Sequence, residues 1–134
     1  MKTILFIEDN ALIVKVYQMA LSREGFCVEV AEDGLVAMKK LAAAKSDLVV
    51  LDLMIPKLTG TDVIKYIRST PALKSLPVII LSDASIADLA QEAIKIGAER
   101  VFLKSQCSPA ILIGAIKELL GGGAPGASAQ SPPA

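Results

Sequence analysis

Leu48-Val49-Val50-Leu51-Asp52 is a run of four consecutive apolar residues that stops on an acid. Three more runs share its form. Ile4-Leu5-Phe6-Ile7 stops on Glu8-Asp9, Val78-Ile79-Ile80-Leu81 on Ser82, and Val101-Phe102-Leu103 on Lys104. Continuous apolar runs of this length suit strands of a parallel sheet covered on both faces. Cys27-Val28-Glu29-Val30 alternates instead, which suits an edge strand.

Helical patterns fill the intervals. Leu12, Val16, Met19 and Ala20 recur at spacings of three and four before Gly25 stops the helix. Asp33 can cap a helix containing Leu35, Met38 and Leu41. Val63, Ile64 and Ile67 mark a third helix, ended near Ser69-Thr70 by Pro71. Ser85 and Asp88 resemble a capping box for a fourth, with Leu89, Ala93 and Ile96 inside and Gly97 at its end. Ser108-Pro109 pairs an N-cap with proline at the first helical position, opening a fifth from Ile111 to Leu120. Five strands alternating with five helices predict an α/β fold, a doubly wound parallel sheet with right-handed crossovers.

Composition narrows the function classes. A chain of 134 residues, 53% hydrophobic and 21% charged, is one folded domain and not a disordered segment. Fourteen basic residues balance fourteen acidic ones, which disfavours direct nucleic-acid binding and polybasic membrane binding. No apolar run reaches the ~18 residues of a membrane helix, and Glu8 arrives too early for a secretory signal. Histidine is absent, which removes Ser-His-Asp and Cys-His catalysis, histidine metal sites and phosphotransfer on a histidine of this chain. Cys27 and Cys107 form neither a C-x-x-C motif nor a disulfide framework, and suit a cytoplasmic setting. Residues 121–134, GGGAPGASAQSPPA, carry no charge. They are expected to be a flexible tail or linker after a folded domain at 1–120. Their literal G-x-G-x-x-G match follows a helix rather than a strand, so no dinucleotide fold surrounds it. Met19, Met38 and Met54 are read as core filler.

The strand ends carry the chemistry. Ligands of open parallel sheets bind beyond the carboxyl ends of the strands. Neighbouring first and third strands would bring Glu8, Asp9 and Asp52 together, since adjacent strands lie ~5 Å apart. Three crowded carboxylates call for a cation, and oxygen ligands of this kind suit Mg²⁺. Lys104 can pair with a carboxylate or a phosphoryl oxygen, and Ser82 offers a hydroxyl to the same oxygen. Acids, metal, hydroxyl and ammonium together describe phosphoryl transfer, with one carboxylate as nucleophile. Taken singly, each residue has an ordinary alternative: Glu8 or Asp9 capping the first helix, Ser82 in a turn, Lys104 on the surface.

Phe6-Ile7-Glu8-Asp9-Asn10, Leu51-Asp52-Leu53-Met54-Ile55-Pro56 through Gly60, Ile80-Leu81-Ser82, and Gly97-Ala98 seven residues before Lys104 resemble, in order and spacing, the receiver domains of two-component response regulators. The resemblance covers residues 2 to 120. It implies a flavodoxin-like five-stranded parallel sheet in the order 2-1-3-4-5. It also implies that Asp52 is the phosphoacceptor and that Glu8, Asp9, Asp52 and the Met54 backbone carbonyl hold Mg²⁺. Ser82 becomes the switch hydroxyl and Lys104 the partner of the phosphoryl group, while Pro56 and Gly60 shape the intervening loop. The donor would be a sensor histidine kinase, a phosphotransfer protein or acetyl phosphate. The chain would not be an enzyme beyond its own phosphorylation and dephosphorylation. It would act in a phosphorelay on an output protein or domain, with phosphorylation-dependent dimerisation open to it. Moving from mostly inactive to mostly active takes about 5 kcal/mol of differential stabilisation.

Three positions depart from that pattern. Ser105 follows Lys104 where the family has proline, so a trans bond is expected. Asp83 follows Ser82 where the family has a small residue; it either repels phosphate or points to solvent or caps the next helix. Val101 occupies the aromatic switch position, with Phe102 beside it expected in the core on the opposite face. These departures motivate the alternative of a degenerate receiver working as a phosphorylation-independent interaction module. A metal-dependent phosphatase ranks behind both.

Overall fold

Each of the four apolar runs becomes a strand, and the alternating run becomes one edge of the sheet, with the Val101 run at the other. The computed structural model describes residues 1–82 and 87–121, with side chains described for 1–81 and 91–121. In chain order the elements are β1 (Thr3–Ile7), α1 (Ala11–Arg23), β2 (Cys27–Ala31), α2 (Gly34–Ala43), β3 (Leu48–Asp52), α3 (Gly60–Ser69), β4 (Val78–Ser82), α4 (Ala87–Ile96), β5 (Arg100–Leu103) and α5 (Pro109–Leu119). All strand pairs are parallel and the order is β2-β1-β3-β4-β5. Asp83 and the Ser85 end of the expected capping box lie outside the described residues, as do residues 122–134 and the Asp88 and Leu89 side chains.

The sheet divides the core in two. Leu5, Ile7, Val49, Leu51, Val78 and Ile80 face α2, α3 and α4, meeting Leu41, Ile64, Ile67 and Ala93. Ile4, Phe6, Leu48, Val50, Ile79 and Leu81 face α1 and α5, meeting Tyr17, Leu21, Leu112 and Ile116. Successive residues of a strand point to opposite faces, which is why four unbroken apolar runs are needed to supply both layers. Val101 packs against the first cluster and Phe102 against the second, as alternation requires.

Two of the helix caps are those the sequence announces. Asp33 accepts from the Val36 amide, and Ser108 with Pro109 opens α5. Gly25 and Gly97 follow α1 and α4 at φ 91° and 124°, where a side chain would be strained. The orientation of α1 differs from expectation. Leu12, Val16 and Met19 face solvent, while Tyr17 and Leu21 are buried and Val14 and Ile13 pack with them. This helix is apolar nearly all round, so two stripes compete, and the one carrying the aromatic ring goes inside because it buries more area. Of the methionines read as core, Met19 and Met54 are exposed and Met38 is half-buried.

Candidate functional site

β1 and β3 are neighbours with Ile7 beside Leu51, so the residue after each strand pair stands at the same height. Those residues are Glu8 and Asp52, and both are buried. Asp9 is exposed, and carboxylate oxygens of Glu8, Asp9 and Asp52 lie within 4.8 Å of one another. The acids are not spent on capping α1. Asn10 does that, its side chain accepting from the Leu12 and Ile13 amides at 3.0 and 3.1 Å.

Lys104 reaches this cluster from the end of β5. Its ammonium lies 2.9 Å from Asp52 Oδ2 and 3.0 Å from Glu8 Oε1. The other Asp52 oxygen, Oδ1, accepts from the Met54 amide at 3.1 Å. Glu8 Oε2 accepts from the Asn10 amide at 3.2 Å, whereas Oε1 has the ammonium close by but no well-directed hydrogen bond. Burial, then the Asp52 charge, push the Glu8 carboxyl up to about 7, against the pull of Lys104 and the Asn10 amide. For Lys104, burial works to lower the pKa. Its hydrogen bond to Asp52 and its pairing with Glu8 outweigh that, and the net shift is upward.

The cluster fits a hard divalent cation. Three carboxylates converge, and one buried oxygen lacks a directed donor. Ser82 closes β4 beside Leu103, placing its backbone at the same edge of the sheet. The loop after Asp52 is shaped by close approach. Gly60 donates to the Leu53 carbonyl at 2.9 Å, and a Cβ there would stand 2.6 Å from Leu53 Cα. Gly34 likewise packs onto Leu58 and donates to the Pro56 carbonyl at 3.2 Å.

Residues 4–117 match the response regulator receiver domain family. The chain belongs to that family. Among curated relatives, the transcriptional regulatory protein QseB of Haemophilus influenzae is 38% identical over 101 residues, 75% of this chain and 45% of its own length. The alkaline phosphatase synthesis transcriptional regulatory protein PhoP of Bacillus subtilis is 41% identical over 81 residues, 60% of this chain and 33% of its own. The chain thus spans less than half the length of these relatives. Among solved structures, the chemotaxis response regulator CheY4 of Vibrio cholerae superposes with a TM-score of 0.81 at 26% identity, covering 89% of this receiver and 98% of that chain. The phosphorylated cyanobacterial phytochrome response regulator RcpA gives 0.78 at 29% identity, covering 89% and 93%.

As a receiver, the chain is homologous to phosphorylatable response regulators and is not an enzyme of the ordinary kind. No described helix is long and apolar enough to cross a membrane. The Lys104–Ser105 bond is trans, as expected without a proline. Three features of the receiver are not legible in its motifs. Asn10 is the α1 cap, Lys57 lies 3.6 Å from Asp33 across the two loops, and residues 104–106 form a 3-10 turn. Only Asn10 has a local signal, as a good capping residue just before an apolar stretch.

Proposed function

We propose that Asp52 accepts a phosphoryl group from the phosphohistidine of a sensor histidine kinase or phosphotransfer protein, and that Glu8, Asp9, Asp52 and the Met54 carbonyl hold the Mg²⁺ this transfer uses. The observation that carries the reading is the Lys104 ammonium bonded to the buried Asp52 and Glu8 carboxylates, with Asp9 completing the acid cluster.

The chemistry follows from the placement. An Asp52 carboxylate oxygen attacks phosphorus, a P–O bond forms, the P–N bond to the donor imidazole breaks, and the product is an acyl phosphate. Mg²⁺, when bound, neutralises charge on the transferring group. Lys104 is held at the acceptor before transfer, and its ammonium exchanges a carboxylate oxygen for a phosphoryl oxygen with little movement. Ser82, at the end of the adjacent strand, supplies the switch hydroxyl. Recruitment of Ser82 and Lys104 draws in the ends of β4 and β5 and biases the surface made by α4, β5 and α5.

The receiver then governs an output protein or domain, and the length of the transcriptional regulators it resembles supports a DNA-binding output outside residues 1–120. Residues 121–134 serve as the linker or tail. The chain itself makes no direct nucleic-acid or membrane contact and works in the cytoplasm, with dimerisation through the phosphorylation-biased surface. The intact acid cluster favours this reading over a degenerate receiver. Incubation with acetyl phosphate and Mg²⁺ tests it: a hydroxylamine-labile adduct should form and vanish in Asp52→Asn. Absence of both the adduct and Mg²⁺ binding in the wild-type chain would refute it.

A further inference from the structure

Lys104 is presented by a segment with few restraints of its own. β5 ends at Leu103, residues 104–106 form a single 3-10 turn, and no side chain caps its start. Ser105 and Gln106 are exposed, and Ser105 leaves φ free where a proline would fix it. Among the described residues, one hydrogen bond ties residues 105–107 to another element. The Tyr17 hydroxyl of α1 donates to the Cys107 carbonyl, inside the core and 90 residues away in sequence. Burial is the main cause of an upward shift in the Tyr17 pKa, so the phenol keeps the proton it donates.

The ring that carries this hydroxyl is fixed from the other side. Tyr17 packs on Phe6 with centroids 5.6 Å apart, and Phe6 lies two residues before Glu8 on β1. The Cys107 side chain is buried in the same cluster as Leu112 and Phe6. One aromatic side chain therefore braces both the strand that delivers Glu8 and the turn that delivers Lys104. Lys104 must bridge Glu8 and Asp52 at 3.0 and 2.9 Å, and a turn freed to shift by an ångström would break that arrangement.

We propose that Tyr17 is the positioning residue for Lys104: its buried hydroxyl, by holding the Cys107 carbonyl, sets the turn that places the ammonium on Asp52. The inference rests on the phosphoacceptor reading of Asp52 for its kinetic consequence. Tyr17 touches neither Asp52 nor the phosphoryl group and acts only through the lysine.

Tyr17→Phe keeps the ring and removes the hydroxyl. With acetyl phosphate and Mg²⁺, adduct formation in Tyr17→Phe should slow about tenfold while Mg²⁺ affinity stays within about twofold of wild type. The same substitution in a Lys104→Ala background should change the rate by less than about twofold, because its effect is transmitted through the lysine. Ile116→Val, in the same buried cluster but with no side-chain hydrogen bond to the turn, reports what general loosening does to the rate. An equal effect of Tyr17→Phe in both backgrounds, no effect in either, or an equal slowing by Ile116→Val overturns the proposal. A wild-type chain that neither forms the adduct nor binds Mg²⁺ refutes the phosphoacceptor reading. The Tyr17 proposal is then decided by the amide resonances of residues 104–107 and Asp52 in the Tyr17→Phe spectrum: displacement supports it and coincidence with wild type overturns it.

Discussion

Replacing Lys104 by methionine keeps most of the side chain's apolar stem and removes its charge, leaving Glu8 and Asp52 buried side by side. Removing one partner of a buried ion pair costs about 3–5 kcal/mol. Here the lysine is about a quarter exposed, at 24%. Glu8 can also take up a proton, so the loss in metal-free protein should be about 2–4 kcal/mol at pH 8. The pH dependence is the sharper test. Folded wild-type Glu8 keeps its proton up to about pH 7, whereas a free carboxyl releases it near 4.5. The folded state therefore holds the extra proton in that window. The associated stability is full below 4.5 and is lost as the pH rises through 7, about 1 kcal/mol of it between pH 6 and 8. Without the ammonium, Glu8 titrates higher, and Lys104→Met should lose about 1 kcal/mol more than wild type over the same interval. Urea unfolding at pH 6 and pH 8 in the presence of a chelator measures both curves. Parallel loss in the two proteins would show that Lys104 does not hold the carboxylates in their charged form.

Other consequences are independent of that charge balance. Gly60→Ala places a Cβ 2.6 Å from Leu53 Cα and 3.0 Å from the Asp52 carbonyl oxygen, so the strand end must shift. Urea denaturation should show a loss of about 1–3 kcal/mol, and an unchanged midpoint would contradict the close approach. Mg²⁺ should raise the thermal midpoint of wild type more than that of Asp9→Asn, since a ligand that binds only the folded state stabilises it; equal increments would remove Asp9 from the ligand set. Cys107 is buried and its thiol is pushed up to about 11 by burial. It should resist a thiol reagent at pH 8 until the chain unfolds, and rapid native-state labelling would place it elsewhere.

The sheet was legible because a strand covered on both faces has no freedom to be anything but apolar. Val49 and Val50 serve opposite layers, so the run 48–51 admits no polar residue until it leaves the core at Asp52. The acids and Lys104 were legible for the same reason, as the first charged residues past each run. The inward face of α1 was not. Leu12, Val16 and Met19 recur at helical spacing as regularly as Val14, Tyr17 and Leu21, and only the packing against Phe6 and Leu112 decides between them. Periodicity reports that a helix has a face, not which of two faces meets the sheet. The Tyr17–Cys107 bond spans 90 residues, and no local pattern encodes a partner at that range. Asn10 shows the opposite case: its capping role is local, yet it is obscured by two neighbouring acids that could also cap.

The pairing of Ile7 with Leu51 sets how this chain can tolerate changes in length. Glu8 and Asp52 meet because β1 and β3 have each advanced by the same number of residues at that row of the ladder. Each residue advances a strand by about 3.3 Å and reverses the face of the next side chain. An insertion or deletion of one residue inside either strand would therefore move its acid out of the cluster and turn it toward the opposite helices, with every side chain of the cluster still encoded. Substitutions can weaken this site by degrees, whereas a one-residue frame slip within β1 or β3 takes it apart. Changes in length should accordingly be tolerated best in the connections at the other end of the strands, such as residues 44–47 and 70–77.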